Sequence, residues 1–131
     1  MPGYSGTPLP KKLGIKDGFR IALFNLPADV GSELKETFAK CQMSRERLDF
    51  AMIFVKSRSE LKKQFSRFSK RVSPAGMLWV SWLKKSSGVT TDLNENIVRE
   101  IGLGSGLVDV KVCAVTEIWS GLKFVIRIKD R

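Results

Sequence analysis

The sequence contains no histidine and only two cysteines, Cys41 and Cys113, which are far apart and not part of a CxxC motif. Because histidine is missing, Ser-His-Asp and Cys-His catalysis and the usual zinc site with imidazole ligands are excluded. The cysteine spacing predicts two reduced thiols packed among apolar residues. The sequence therefore predicts no metal site and no bound cofactor, and it favours a protein without catalytic activity.

Long apolar runs are also missing. The longest unbroken one, Phe50–Val55, is far shorter than the about 18 residues that a membrane-spanning helix needs. The N-terminus lacks the basic start and apolar stretch of a secretory signal. We therefore expect a cytoplasmic protein with no membrane partner. The length and the 43% hydrophobic content predict one domain over residues 1–131, with residues 1–19 as an N-terminal segment packed on the sheet.

Acidic residues are scarce in the middle of a chain whose formal net charge is +10. Between Lys56 and Lys85, Glu60 is the one acidic residue, among many lysines and arginines. A helix expected over residues 58–71 carries five basic side chains that could neutralise phosphate groups: Lys62, Lys63, Arg67, Lys70 and Arg71. These five residues carry an alternative hypothesis of weak nucleic-acid binding, beside the simpler interpretation of a solvated helix face.

Apolar runs and amphipathic runs alternate along the chain in the order strand, helix, strand, helix, strand, helix, strand, strand. This order predicts a Rossmann-like α/β fold of two or three layers, with about five mostly parallel strands and a C-terminal antiparallel hairpin. The predicted strands are Arg20–Phe24, Leu48–Lys56, Met77–Leu83, Val108–Val115 and Leu122–Ile128. The predicted helices are Ser32–Cys41, 57–71 and a third from Asp92 to Gly102.

Two helix starts and one glycine-rich segment have local signals. Ser57 and Glu60 have the spacing of a capping box, and Asp92 with Glu95 predicts the cap of the third helix. The segment 102–106 contains a G-x-G-x-G pattern, but it ends a helix and precedes a strand, whereas a phosphate loop follows a strand. We therefore interpret it as a helix end.

The order of elements has a consequence for the two faces of the sheet. If the first three strands advance in one direction, right-handed crossovers place all three helices on the same face. The second and third strands are apolar on both faces, so the other face also needs a cover. The N-terminal segment or a second copy of the chain in a homodimer would supply it.

Three stretches resemble the class I methyltransferases: residues 16–21 before the first strand, 48–50 at the second and 73–78 at the third. The resemblance implies a truncated methyltransferase-like fold. Those enzymes have a glycine-rich turn after the first strand that approaches S-adenosylmethionine, and this chain has Asn25-Leu26-Pro27 there. Two strands of the cofactor half are also expected to be missing. A divergent S-adenosylmethionine-dependent methyltransferase is therefore the least favoured of three functional hypotheses.

A closer resemblance is to a bacterial family of uncharacterised small proteins, a domain of unknown function. It extends over nearly the whole chain, and its most specific stretches are Gly3–Leu9, Lys11–Ile15, Leu78–Trp82, Val108–Val115 and Trp119–Lys123. The resemblance implies no assigned activity.

The favoured hypothesis is a non-catalytic domain that binds an anionic, phosphate-bearing small molecule or partner. The loops that leave the carboxyl ends of parallel strands share one edge of the sheet, where ligands bind. The candidate ligand-binding residues at this edge are Asn25, Ser57, Arg58, Lys84, Lys85, Ser86, Ser87, Glu117 and Trp119. The N-terminus of the third helix would add to the attraction for an anion. The alternative is a solvated basic loop, with Glu117 as an ordinary turn residue rather than a general base.

Overall fold

The computed structural model describes residues 7–131, in which six strands form one sheet between helices. The first six residues, which belong to the predicted N-terminal segment, lie outside the described residues. The strands are β1 (Arg20–Phe24), β2 (Gln42–Met43), β3 (Leu48–Phe54), β4 (Val72–Leu83), β5 (Leu107–Ala114) and β6 (Trp119–Ile126). The helices are α1 (Leu9–Leu13), α2 (Ala28–Ala39), α3 (Arg58–Ser69) and α4 (Glu95–Gly104), with short 3-10 turns at Lys85–Ser87 and Ile128–Asp130.

The strand order in the sheet is β2-β1-β3-β4-β6-β5. The strands β2, β1, β3 and β4 are parallel, and β6 is antiparallel to both β4 and β5. In the centre of the sheet, Leu23 of β1 pairs with Met52 of β3, which pairs with Trp79 of β4. The predicted Rossmann-like α/β sheet with a closing antiparallel hairpin is confirmed.

The short strand β2 corrects the expected arrangement of the helices. One of the two outer strands thought to be missing is present, so the chain moves outward from β1 to β2 and then back past β1 to β3. A right-handed crossover changes face when the direction along the sheet reverses. The helix α2 therefore lies on the face opposite to α3 and α4, and the expectation of three helices on one face is wrong.

Each face of the sheet carries its own apolar layer. On one face, α1 and α2 pack against the central strands through Leu13, Val30 and Leu34. On the other face, α3 and α4 pack through Leu61, Phe65 and Val98. The strand β3 serves both layers, because its alternate residues point to opposite faces, and Phe50, Ala51, Met52 and Ile53 are all fully buried. Burial of Phe50, Met52 and Ile53 contributes about 1.5–3 kcal/mol each. Because helices cover both faces of the sheet, the molecule is a three-layer α/β/α structure.

The start of α3 forms the Ser57 half of the predicted capping box, whereas the Glu60 carboxylate binds the N–H of the residue before the cap. The Ser57 hydroxyl accepts a hydrogen bond from the Glu60 N–H (3.1 Å), and the Glu60 carboxylate accepts one from the Lys56 N–H (2.9 Å). The start of α2 differs from the prediction, because the helix begins at Ala28, directly after Pro27, rather than at Ser32. Proline suits a helix start, since its ring fixes φ and its missing N–H is not needed there.

Both ends of α4 also differ from the prediction. The cap is Asn94, whose side-chain oxygen accepts a hydrogen bond from the Ile97 N–H (2.9 Å), while the Asp92 carboxylate accepts one from the Arg58 N–H (2.9 Å). The helix passes through Gly102 and ends at Gly104, and the left-handed glycine of the following turn is Gly106 (φ 95°). Asp92 therefore fixes the start of α3 rather than that of α4.

The cap of α4 leads to a first prediction. The Asn94→Ala change is expected to lower the free energy of unfolding by about 1 kcal/mol, because one N–H of the first turn loses its acceptor. Urea unfolding with amide exchange at residues 96–98 measures the effect. The matched change is Asp92→Ala, which should increase exchange at the start of α3 and leave α4 unaffected. Faster exchange in α4 from Asp92→Ala than from Asn94→Ala would contradict the assignment of the cap.

No helix within residues 7–131 is long and apolar enough to span a membrane. Cys41 and Cys113 are both free thiols, and each is partly buried. The cytoplasmic location and the homodimer stay predictions.

Candidate functional site

The carboxyl ends of β1, β3 and β4 gather at one edge of the sheet. Segment 25–27 follows β1, segment 56–58 follows β3 and segment 84–87 follows β4. The direction of the chain along the sheet reverses between β1 and β3, so the connection after β1 goes to one face and the connection after β3 goes to the other. Ligands of open α/β sheets bind in the crevice at such a switch point.

A crevice of about 370 Å³ lies at this switch point, and we call it the switch-point crevice. Its lining consists of Asn25, Leu26, Pro27, Phe54, Lys56 and Trp119. The Phe54 and Trp119 rings meet edge to face at 5.1 Å and are nearly inaccessible to solvent, so they form a rigid aromatic wall. Lys56 is exposed and is the charged residue of this lining. The volume is in the range of small-ligand pockets.

The turn after β1 makes its reversal without glycine. Asn25 has a φ of 55°, in the left-handed region that asparagine tolerates better than most side chains. Pro27 follows in an extended conformation and is the N-cap of α2. Asparagine therefore supplies the left-handed residue of this turn, and its amide side chain adds a hydrogen-bond donor and an acceptor that glycine lacks.

A second crevice of about 510 Å³ lies between the start of α3 and the loop 88–94, and we call it the loop crevice. Arg58, Lys85 and Asp92 are the charged residues of its lining. Two hydrogen bonds fix the loop to the first residue of α3, from the Arg58 N–H to the Asp92 carboxylate (2.9 Å) and from Arg58 Nε to the Asp92 carbonyl (3.0 Å). A third, from the Thr91 hydroxyl to the Lys56 carbonyl (2.8 Å), fixes it to the segment before the helix.

The structure brings the nine predicted residues to the same edge, but only four of them line a crevice, two in each. Asn25 and Trp119 line the switch-point crevice, and Arg58 and Lys85 line the loop crevice. The Ser57 hydroxyl is used as the cap of α3. The other four predicted residues line neither crevice: Lys84, Ser86, Ser87 and Glu117.

Four residues of the switch-point crevice were absent from the predicted set: Leu26 and Pro27 in the turn after β1, and Phe54 and Lys56 at the end of β3. Phe54 is the last residue of β3, and Lys56 follows it by two positions. The signal that could have found them is position, because the residues at the carboxyl end of a strand line the edge where ligands bind. Residue type alone did not identify Phe54 and Lys56, because a phenylalanine in an apolar strand usually lies in the core and a single lysine usually faces solvent.

The cysteine near this edge is not an activated nucleophile. Burial raises the pKa of the Cys113 thiol, more than the charges of Lys12, Lys111 and Lys84 lower it. The thiol is therefore protonated at neutral pH and unreactive as a nucleophile. Glu117 is exposed in the turn between β5 and β6. Within residues 7–131, no three cysteine, aspartate or glutamate side chains lie close enough together to hold a metal ion.

No protein-family model and no curated protein matches the sequence. Solved structures do match the fold. A SAM-dependent methyltransferase from Aquifex aeolicus is 13% identical, with 89% of this chain and 87% of that chain covered and a TM-score of 0.60. Magnesium protoporphyrin IX methyltransferase from Synechocystis with bound SAH is 10% identical over 85% of this chain and 75% of that chain (TM-score 0.57). The pre-rRNA processing protein fibrillarin of Methanococcus jannaschii is 12% identical over 86% and 68% (TM-score 0.55).

These similarities show that the chain has the Rossmann-like α/β fold found in class I SAM-dependent methyltransferases. The resemblance to the uncharacterised bacterial family is matched by no family model and stays a prediction.

Proposed function

We propose that the protein is a small, divergent S-adenosylmethionine-dependent methyltransferase that binds its cofactor in the switch-point crevice. The observation that carries the proposal is the position of this crevice, between the two strands at which the chain reverses direction along the sheet. The fold supports it, because one of the similar structures is a methyltransferase with bound SAH. This hypothesis, which the sequence ranked last, is now favoured over a non-catalytic binding domain.

The residues of the switch-point crevice fit the chemistry of S-adenosylmethionine. The cofactor has an aromatic base, a carboxylate, an ammonium and a sulfonium group. Phe54 and Trp119, which are nearly buried, close the crevice with a small apolar surface against which the base can pack. Lys56 can pair with the carboxylate, and the Asn25 amide can donate to and accept from polar groups of the ligand. When bound, the cofactor supplies a methyl group activated for transfer by the sulfonium.

The lining also limits what the chain does in the reaction. Asn25, Lys56 and the aromatic pair can hold and orient the ligand, which is the main requirement for an in-line methyl transfer. The lining of the switch-point crevice includes no carboxylate and no thiol that could remove a proton. We therefore expect an acceptor whose nucleophilic atom already has a free lone pair at neutral pH, such as an unprotonated ring nitrogen.

The test is a calorimetric titration with S-adenosylmethionine and with S-adenosylhomocysteine. The Lys56→Gln change is expected to weaken binding of both ligands about tenfold, because both have the carboxylate that loses its charged partner. The control is Lys62→Gln, which removes the same charge from an exposed position on α3 outside the crevice. Transfer of labelled methyl groups to acceptors with an unprotonated ring nitrogen is then measured. No binding of either ligand at millimolar concentration, or an equal loss in both variants, would contradict the proposal.

A second candidate function, binding of an anionic ligand without catalysis, rests on the loop crevice. The Nε atom of Arg58 donates to the Asp92 carbonyl, and within residues 7–131 its two terminal nitrogens have no partner. Lys85 lines the same crevice, and the Asp92 carboxylate is already engaged by the Arg58 N–H. Inorganic pyrophosphate is the second titrant of the same experiment. Pyrophosphate binding that is lost in Lys85→Ala and kept in Lys56→Gln, with no binding of the adenosyl ligands, would favour this candidate.

A further inference from the structure

Basic residues also gather at the opposite edge of the sheet, at the amino ends of β3 and β4. There the loop 44–47, which leads from β2 to β3, meets the segment 70–74, which leads from α3 into β4. An open cleft of about 590 Å³ lies between them, and a neighbouring depression of about 320 Å³ shares two of its arginines. We call the two together the arginine cleft. Its basic residues are Arg45, Arg47, Arg67, Lys70 and Arg71.

The positive charge of the arginine cleft is not neutralised by the protein. The ion pairs within residues 7–131 are Arg20–Asp49 and the pairs of Arg99 with Glu95 and Asp109. None of them involves a residue of the cleft, and Glu46 is the one acidic residue of its lining. Like charges gathered in a concave surface repel one another and concentrate anions from solution. The arginine cleft therefore has the electrostatics of a site for a polyanion.

Two guanidinium groups of the arginine cleft are held in place by an aromatic ring. The Cζ atoms of Arg67 and Arg71 lie 5.3 and 5.7 Å from the centre of the Phe68 ring. Phe68 is itself anchored in the core, where its ring contacts Phe24. Arg67 Nη1 also donates to the buried Gln64 side chain (3.4 Å). Groups that are already ordered lose less entropy on binding, and planar guanidiniums both pair with phosphates and stack with bases.

We propose that the arginine cleft binds single-stranded nucleic acid through its sugar–phosphate backbone. The basic groups are recessed around a cleft, which a single strand can enter. A duplex is usually read by an element that protrudes into a groove, and a bilayer presents a broad flat surface. The ordered guanidiniums add sites where unpaired bases can stack. This differs from binding along the basic helix, because Arg45 and Arg47 take part while Lys62 and Lys63 do not line the cleft.

The inference goes beyond the proposed function and shares no residue with it. The switch-point crevice lies at the carboxyl ends of the parallel strands, and the arginine cleft lies at their amino ends. A failure to bind the cofactor would therefore not contradict the nucleic-acid proposal, and a failure to bind nucleic acid would not contradict the proposed methyltransferase function.

The test is fluorescence anisotropy with a labelled 15-nucleotide RNA or DNA strand at several salt concentrations. If about four phosphates are neutralised, the logarithm of the binding constant should fall against the logarithm of salt with a slope of about −3. The Arg45→Ala/Arg71→Ala double variant should bind at least about tenfold more weakly and show a slope near about −1.5. The matched control, Lys62→Ala/Lys63→Ala, removes the same charge from α3 and should change affinity less than about threefold. Circular dichroism verifies that both variants are folded.

Four results would overturn the proposal. An equal loss of affinity in the two double variants would mean that net charge alone attracts the strand. If a duplex or inorganic polyphosphate bound as tightly as the single strand, neither the shape of the cleft nor base stacking would contribute to binding. Preferential binding to phosphatidylglycerol vesicles over the oligonucleotide would assign the surface to a membrane. Weak binding with no dependence on salt would equally contradict it.

Discussion

Replacing Gly102 by alanine is expected to lower the free energy of unfolding by about 2–3 kcal/mol, although alanine is the better helix former. Gly102 lies buried in α4, and a Cβ atom there would overlap the ring of Phe124 on β6. That ring cannot retreat easily, because it is fully buried and meets the Phe65 ring edge to face at 5.1 Å. The helix must therefore move away from the sheet, which separates apolar surfaces along the whole contact. Urea unfolding followed by far-UV circular dichroism measures the effect.

The same helix provides the control. Gly104→Ala adds the same methyl group two residues further on, where nothing lies within 4 Å of the new Cβ. This variant should be as stable as the original chain or more stable by up to about 1 kcal/mol. Phe124→Leu, which removes part of the ring, should recover some of the stability lost in Gly102→Ala. Equal stability of the two alanine variants would mean that α4 does not rest on Phe124.

The strands that are apolar on both faces were the most predictable part of the fold. The alternation in β3 and β4 assigns each side chain to a face from local sequence alone, because the period of a strand is two residues. Met77 and Trp79 lie in the layer with α1 and α2, and Leu78 and Val80 lie in the other layer, as the alternation predicts. The parallel order of β1, β3 and β4 followed from the helices between them.

The strand β2 was not predictable, and the largest error followed from it. Gln42 and Met43 are both exposed and form no apolar run, so no periodicity marks them as a strand. Their pairing depends on backbone hydrogen bonds to β1: the Gln42 N–H donates to the Phe19 carbonyl and the Ser44 N–H to the Ile21 carbonyl. Such bonds carry no sequence signal. Without β2 the chain shows no reversal, so the face of α2 was predicted wrongly.

The candidate site was predictable only to the level of the sheet edge. The carboxyl ends of the strands identify which loops meet, and the structure brings those loops together. The division into two crevices depends on the hydrogen bonds between Arg58 and Asp92, which are 34 residues apart. The charge pattern of α3 was likewise visible in the sequence, whereas the meeting of Arg45 with Arg71 depends on the return of the chain from β2 to β3.

The Trp79→Phe change is expected to lower the free energy of unfolding by about 3 kcal/mol and to loosen α1. Trp79 is fully buried in β4, and its indole N–H donates to the carbonyl of Leu13 at 3.0 Å. Phenylalanine removes this donor, leaves a buried carbonyl without that partner and opens a space where the larger ring was packed. Because the bond joins the end of α1 to the centre of the sheet, amide exchange in residues 9–13 should rise more than the loss of global stability explains.

The matched change is Trp82→Phe, three positions along the same strand. Trp82 is also buried, but it lies in the other apolar layer, and no hydrogen bond of its indole occurs within the described part of the chain. This variant loses ring volume without losing a donor, so we expect a cost of about 1–2 kcal/mol and unchanged exchange in α1. Equal costs and equal exchange in the two variants would contradict a role for the hydrogen bond. A larger effect confined to Trp79→Phe would mean that one indole N–H, rather than apolar contact alone, attaches α1 to the sheet.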